Sequence, residues 1–440
     1  MSAGLHLPGS YGDAIASAVY RRAEGIAARV VRRGRPEPGW SDRLDDLVTS
    51  RWLGYPVMAA LLCGALWLTI TGSNYPSQGL TRGLFWLEGV LESMMLSLDA
   101  PWWLTGLLVH GTYRGVAWVV GVMLPPMAIF FPLFSLLEDF GYLPRVAFNL
   151  DRFFKGAGGH GKQALTMCMG LGCNAAGVTA CRIIESPRER LIAMLTNVFV
   201  PCNGRFPLFF ALASIFVSTS WLGSAVVVAV IMAGVGATLL VSLVLSRTIL
   251  RGLPSSFVLE LPPYRPPHVG KVLVRSLFDR TLVVLTRAVW VAAPAGAVTW
   301  VLANTYVSRV SLLAQTALAL DALGRALGMD GHILLAFVLG LPANEIVVPV
   351  LVMGYMGSAA LLELDGLRAL GQLLVSRGWT LHTAVSVMLF SLLHYPCGTT
   401  LLTIARETRS LRWAVLGAVL PLGLAGSTCF VLNLLVKLVA

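Results

Sequence analysis

Seven side chains have the types and the surroundings to hold a soft or borderline divalent cation: Cys173, Asn174, Cys202, Asn203, Asn344, Glu345 and Cys397. Thiolates bind such ions, and carboxylate or amide oxygens complete the shell. All seven lie where glycine or proline interrupts an apolar run, in "MGLGCNAAGV" (169–178), "NVFVPCNGRF" (197–206), "LGLPANEIVV" (339–348) and "SLLHYPCGTT" (391–400). A break of this kind frees backbone carbonyls, which favour cations, and exposes half-helix N-termini, which favour anions. The sequence leaves open which end points inward. A glutamate in an apolar span costs a few kcal/mol without a partner, so Glu345 is read as functional. A lone cysteine is ordinarily a small packing residue, and Cys63, Cys168, Cys181 and Cys429 are read that way. Glu138 and Asp139 end a span in "LLEDFGY" and are either a cation exit or solvated helix-end acids. His394 reads equally as a further ligand or as a satisfied buried histidine.

These residues need a scaffold, and composition names its class. The 440 residues are 56% hydrophobic and only 12% charged, with mean hydropathy +0.75. A soluble domain is nearer one quarter charged. Apolar stretches of bilayer-spanning length recur at 53–71, 116–137, 191–217, 222–245, 282–301, 333–352, 384–404 and 414–436. The chain is therefore expected to be an all-α polytopic membrane protein. Its net charge of +11 is read as cytoplasmic loop charge and not as nucleic-acid binding. The cysteines sit in apolar segments and do not read as a disulfide framework. The first fifty residues are polar, so no secretory signal is read there.

The four broken stretches fall into two similar pairs. In each pair a Gly-Leu-small turn is followed by a Pro-Cys in a later apolar run. Corresponding breaks in two halves mark inverted-repeat transporters with a site near the midplane. Charge counting refines this. With the N-terminus inside, Arg145, Arg152, Lys155, Lys162, Arg182, Arg188 and Arg190 fall inside if 163–182 dips in and returns. Arg247, Arg251, Arg265, Lys271, Arg275 and Arg280 follow them. Arg406, Arg409 and Arg412 fall inside only if 333–352 is also re-entrant, with Glu363 and Asp365 offsetting Arg368 and Arg377 outside. The positive-inside rule thus favours seven full spans, two re-entrant hairpins and an outside C-terminus.

"GAGGHGKQ" (156–163) is one residue short of a phosphate-binding loop, since Gln163 stands where the motif needs a hydroxyl. It is read as a glycine turn feeding a half-helix, with His160 and Lys162 toward cytosol or headgroups. At the N-terminus, Ile15, Val19, Ile26 and Val30 share one helical face, and Arg21, Arg22, Arg29, Arg32, Arg33 and Arg35 make the rest basic. This reads as a short amphipathic helix on the membrane surface, ended by "RGRPEPGW"; a disordered tail is the alternative. Region 80–112, with Glu88, Glu92, Asp99 and Trp86, Trp102 and Trp103, is read as interfacial helices.

At the candidate residues the sequence resembles the membrane domain of the FeoB family of ferrous iron transporters. The resemblance rests on "LLEDFGYLPRVAFNLDRF", "GGHGK", "MGLGCNAAGVTACRIIESPRERL", "NVFVPCNGRFPLF" and "HYPCGTTLLTIARET", and covers roughly 48–437. "TSRWLGYPVMAALL" is similar to that family's entry into its first span. The resemblance implies about seven to nine transmembrane helices in two inverted gate-type repeats with re-entrant or broken helices. The expected division is a basic N-terminal segment (1–50), a first transmembrane helix with interfacial helices (51–112), a first gate repeat (113–250), a cytoplasmic linker (251–280) and a second gate repeat with the C-terminal helix (281–440).

The resemblance also implies Fe²⁺ import across the cytoplasmic membrane, with no tightly bound cofactor and no enzyme chemistry. Cys173, Cys202 and Cys397 become metal-path cysteines, joined by Glu345, Asn174 and Asn344, with exit toward Glu138 and Asp139. Two departures bear on it. The family's N-terminal GTP-binding and helical domains are not in this chain, so GTP coupling would come from a separate G-protein subunit or be absent; a small FeoA-like protein and a homo-oligomer are the other partners considered. And Asn344-Glu345 stands where the family usually has Lys-Glu. A nucleoside or other small-solute transporter and a non-transporting scaffold are the competing readings.

Overall fold

The computed structural model describes all residues except 1–8, 31–39, 51, 218–219, 253–263, 265–267, 308, 362–363, 365 and 440. Arg32, Arg33, Arg35, Arg265, Glu363, Asp365 and most of the "RGRPEPGW" stop lie outside the described residues, as does the side chain of Arg152. Among the described residues the structure is almost wholly helical, with one two-stranded hairpin, Tyr306–Val307 paired to Val310–Ser311. Among the described residues, six helices are long and apolar enough to cross a membrane, or seven if one bent pair counts as a span.

Helix α1 (Gly9–Val30) carries Ile15, Val19, Ile26 and Val30 uncovered by protein, as an interfacial helix requires. After α2 (Trp40–Val48) comes α3 (Gly54–Ser97), a single helix of 44 residues, about 66 Å long at 1.5 Å per residue. The expected span at 53–71 and the start of the expected interfacial region thus lie on one continuous helix. The helix runs on through the polar stretch around Pro76, and the Thr69 and Ser73 hydroxyls donate to the Ala65 and Ile70 carbonyls. Helix α5 also packs along it: Thr81 lies against Gly121, where no Cβ would fit.

The remaining elements recur in the same order twice. The first series runs through α4 (Trp102–Thr105), a π-helical turn (Gly106–Tyr113), α5 (Arg114–Asp139), α6 (Tyr142–Gly156), and the short pair α7 (Gln163–Gly172) and α8 (Asn174–Ala180). It continues with α9 (Pro187–Thr196), α10 (Phe206–Phe216) and the long α11 (Ser220–Arg247). The second begins with α12 (Val269–Ser276), another π-helical turn (Leu277–Leu282) and α13 (Val283–Asn304), then α14 (Leu312–Ala326), α15 (Gly331–Leu339) and α16 (Val347–Met356). After an added α17 (Leu367–Ser376) come α18 (Leu381–Leu393), α19 (Gly398–Thr408) and α20 (Leu411–Val439). The bent pair is α14 and α15, which turn by 110°.

The expected span 191–217 is two short helices, α9 and α10, separated at Val200-Pro201-Cys202. Val200 is extended, as the residue before a proline prefers, and the proline itself cannot donate to a helix. The two series touch where the π-helical turn before α5 crosses α13. Gly111 and Gly115 face Gly296 so closely that a Cβ on Gly115 would lie 3.1 Å from the Gly296 Cα. Small residues four apart are the usual membrane device for such close crossings.

Candidate cation site between two broken helices

The site is built at two matching breaks. Cys173 stops α7 in an extended conformation, φ −154° and ψ 124°, before Asn174 starts α8. Ala343 does the same after α15, φ −154° and ψ 127°, before Asn344. An interrupted helix inside a membrane must find new partners for its freed backbone groups. The Pro-Cys loops supply them. The Asn203 N–H donates to the Gly172 carbonyl at 3.3 Å, and the Gly398 N–H to the Leu341 carbonyl at 2.6 Å. In both cases the donor is the residue directly after the cysteine, so each loop is pinned to its break and its thiol is carried to the gap.

Side chains tighten the first break further. Asn197 donates to the Asn174 carbonyl at 3.2 Å, and lies where any Cβ on Gly170 or Gly177 would have to go. With its amide nitrogen turned to the nearby carbonyls, Asn174 donates to Val200 and Gly170, 3.1 Å each. Across the repeats, Asn344 Nδ2 donates to Cys202 Sγ at 3.7 Å. The Glu345 carboxylate rests against Gly204, at a position where a Cβ would collide with it.

These contacts draw Cys173, Asn174, Cys202, Asn344, Glu345 and Cys397 around one cavity of about 20 Å³. That is room for about one water-sized occupant. Asn203 and Gly204 line it too. Two further lining residues went unread in the sequence: Met123 and Met127, one helical turn apart on α5. Their thioethers are soft donors, and the "MLPPM" string that carries them was the available signal. Among the described residues no three His, Cys, Asp or Glu side chains stand close enough to grip one ion together. Glu345 enters none of the ion pairs found among the described residues.

Arg205 was also unread, though "NVFVPCNGRF" contains it. It is 1% exposed and donates to the Val198 and Leu392 carbonyls at 3.3 and 2.9 Å, and to His394 and Tyr395 at 3.4 and 3.3 Å. It thereby satisfies the last carbonyls of α18 from the opposite repeat. His394 does not line the cavity. Its Nδ1 lies 2.9 Å from the Ser391 carbonyl, and its ring packs on Phe337, Phe390 and Tyr395. Cys181 and Cys429 donate to backbone carbonyls in the core, and Cys63 is exposed.

Glu138 and Asp139 stand apart from this cavity. Glu138 pairs with Arg280 at 3.0 Å and lines a second, larger cavity, while Asp139 accepts the His268 N–H at 3.2 Å. The glycine turn after α6 follows a helix and not a strand. The Gly161 N–H is taken by Asp151 at 3.0 Å, and Gln163 is buried against Thr196 and Ser242. The amide and the side chain that a phosphate loop would offer are spent within the fold.

Fold and site define a polytopic α-helical membrane protein with two gate-type, broken-helix repeats. A family model described as "Gate: Nucleoside recognition" matches residues 120–216 and 285–411, half of the chain and all four breaks. A second, "Ferrous iron transport protein B C terminus", matches 227–279. The chain belongs to this Gate family. Among its relatives, the Fe(2+) transporter FeoB of Staphylococcus aureus (strain MSSA476) is 29% identical over 396 residues, covering 87% of this chain and 57% of the relative. That of Methanocaldococcus jannaschii is 27% identical over 442 residues, 97% of this chain and 64% of the relative. A Porphyromonas gingivalis fusion of Fe(2+) transport protein A and FeoB is 25% identical, covering 89% and 51%. The chain thus spans a little over half the length of these curated relatives. No solved structure matches.

Proposed function

We propose that the chain is the membrane path for Fe²⁺, with N-terminus and most basic loops on the cytoplasmic side of a cell's inner membrane. One observation carries the reading: thiols from both repeats, a carboxylate and amides border a single cavity sized for a bare cation. The printed names of the relatives supply the metal. Cys173, Cys202, Cys397 and Glu345 are the proposed ligands, with Asn174 and Asn344 supporting and Glu138 and Asp139 at the exit. Fe²⁺ is the cargo, and no covalent step is involved. The loose spacing of the donors suits a path, because an ion gripped by a closed shell would not leave.

The fused relative favours a small FeoA-like protein as a partner on the cytoplasmic face. GTPase regulation from a separate subunit belongs to the same proposal. The name of the matching family model raises nucleoside transport as the second reading. A nucleoside needs a pocket of about 300 Å³ or more; the cavity at the breaks holds about 20 Å³, so a nucleoside would have to occupy the separate cavity of about 680 Å³ beside Glu138. The test is anaerobic Fe²⁺ flux into proteoliposomes holding the chain alone, beside Cys202→Ser, with radiolabelled nucleoside uptake in parallel. Fe²⁺ flux that collapses in the variant supports the path. Equal Fe²⁺ flux in both removes the thiol from it, and nucleoside uptake alone overturns the metal reading.

A further inference from the structure

The larger cavity, about 680 Å³, lies between the end of α5, the start of α6, the α7–α8 hairpin and the start of α13. Its volume is in the range of sites for small organic ligands. Four cationic side chains border it, Lys162, Arg182, Arg280 and Arg287, against two acids, Glu138 and Asp279. Lys162, Arg182 and Arg280 are paired with Glu185, Glu407 and Glu138, so the excess positive charge of the rim rests on Arg287. Much of the rest is apolar, with Leu143, Leu165, Ile183, Val283 and Val284 among the lining side chains. A lining of this kind gains nothing from a small hydrated anion, and the basic rim repels a bare cation. Both halves are satisfied at once by an amphiphile with an anionic head.

Two details sharpen the charge argument. Arg287 donates to the Thr403 hydroxyl at 3.1 Å and enters none of the ion pairs found among the described residues. Arg280 lines the cavity and spends one terminal nitrogen on Glu138. Guanidinium groups fit the two oxygens of a phosphodiester. The basic rim also lies at the end of the spans that charge counting places on the cytoplasmic side, where anionic headgroups reside and where basic pockets between helices capture them.

We propose that this cavity binds one anionic phospholipid of the inner leaflet, its phosphate on Arg280 and Arg287 and an acyl chain along the apolar lining. The bound lipid would touch Leu165 and Met169 on α7 and Ala176 and Thr179 on α8, the two arms of the hairpin whose bend is Cys173. It would also offset the positive rim beside Glu138. This last consequence rests on the transport reading above, whereas binding itself does not.

The experiment is native mass spectrometry of the full chain in detergent, titrated with phosphatidylglycerol, phosphatidylcholine or inorganic phosphate. The expected result is one retained phosphatidylglycerol per chain, bound at least tenfold more tightly than phosphatidylcholine, with no effect of inorganic phosphate. An Arg280→Gln/Arg287→Gln double variant should lose about tenfold in phosphatidylglycerol affinity. Ile183→Trp, which narrows the cavity and leaves every charge in place, should lose a comparable amount. Equal retention of both lipids by the wild type overturns the proposal, even if the double variant fails to fold. So does competition by inorganic phosphate, which would make the cavity a small-anion site, or unchanged binding in both variants. Fe²⁺ flux is not read here, so a failure of the transport proposal leaves this outcome interpretable.

Discussion

The two repeats share a backbone and differ in chemistry. Cys173 and Ala343 adopt the same extended geometry within a few degrees. In both, the amide after a Pro-Cys rescues a carbonyl orphaned by the break. Read in register, Cys173-Asn174-Ala175 faces Ala343-Asn344-Glu345. One repeat supplies the thiol, the other the carboxylate, and the asparagine between them is kept. Arg205 falls in register with Thr400, which touches Cys397 Sγ at 3.2 Å, while Arg205 instead reaches across to the opposite repeat. A duplicated scaffold fixes where donors stand; the donor set is then written by a few unequal residues.

The comparison can be broken at its joint. Arg205→Leu strips a buried cation from four carbonyls, and the loss is expected to be about 3–5 kcal/mol. The outcome to look for is a chain that no longer elutes as a monodisperse species in detergent. A variant with wild-type melting behaviour would show that the repeats hold together without this stitch.

The next two changes make the repeats more alike. Glu345→Ala writes the first repeat's residue into the second. Fe²⁺ flux is expected to fall about 100-fold, or about 2.7 kcal/mol, with little change in melting temperature, because no ion pair is lost. Undiminished flux would remove the carboxylate from the path. Cys173→Ala writes the second repeat's residue into the first, and Ala343 shows that alanine takes this backbone without strain. About a tenfold loss of flux is expected, again with a folded protein. Retained flux would mean that the thiol asymmetry is packing and not chemistry.

The smallest effect concerns the turn that feeds the first break and has no glycine-rich counterpart in the second. His160 Nδ1 accepts the Lys162 N–H at 3.0 Å, and burial is the main cause that lowers its pKa below the ordinary histidine value. The fold therefore favours neutral imidazole. That contribution is intact above the ordinary pKa of about 6.5 and is lost as pH falls through the lowered value. Below pH 6 the wild-type melting temperature should drop faster than that of His160→Gln, by about 1–2 °C. Parallel curves would place no weight on this histidine.

Much of this was legible in the chain. Apolar runs gave the membrane class, and the Gly- and Pro-broken segments located all four interruptions. A thiol or carboxylate beside such an interruption picked out side chains that come together, since Cys173, Cys202, Cys397 and Glu345 line one cavity. The run 191–217 still reads as a span, although its break at "NVFVPCNGRF" is legible, because hydropathy sums over a window and does not register Pro201; it is two short helices. The length of α3 was hidden for a similar reason: Pro76 and the polar residues around it read locally as a loop, yet one helix runs through them.

By itself, then, the sequence determined the class, the breaks and the candidate donors, because composition, helix-breaking and ligand chemistry are properties of a residue and its near neighbours. The tertiary structure decided which donors meet. It brought Met123 and Met127 to the thiols, spent Arg205 on carbonyls almost 190 residues away, and seated Gly296 against Gly111 and Gly115. Helical periodicity says which face of a helix is apolar, but not what the face opposite will be. That is settled only when close-packed helices choose their crossings, and a gap the size of one cation exists only after they have done so.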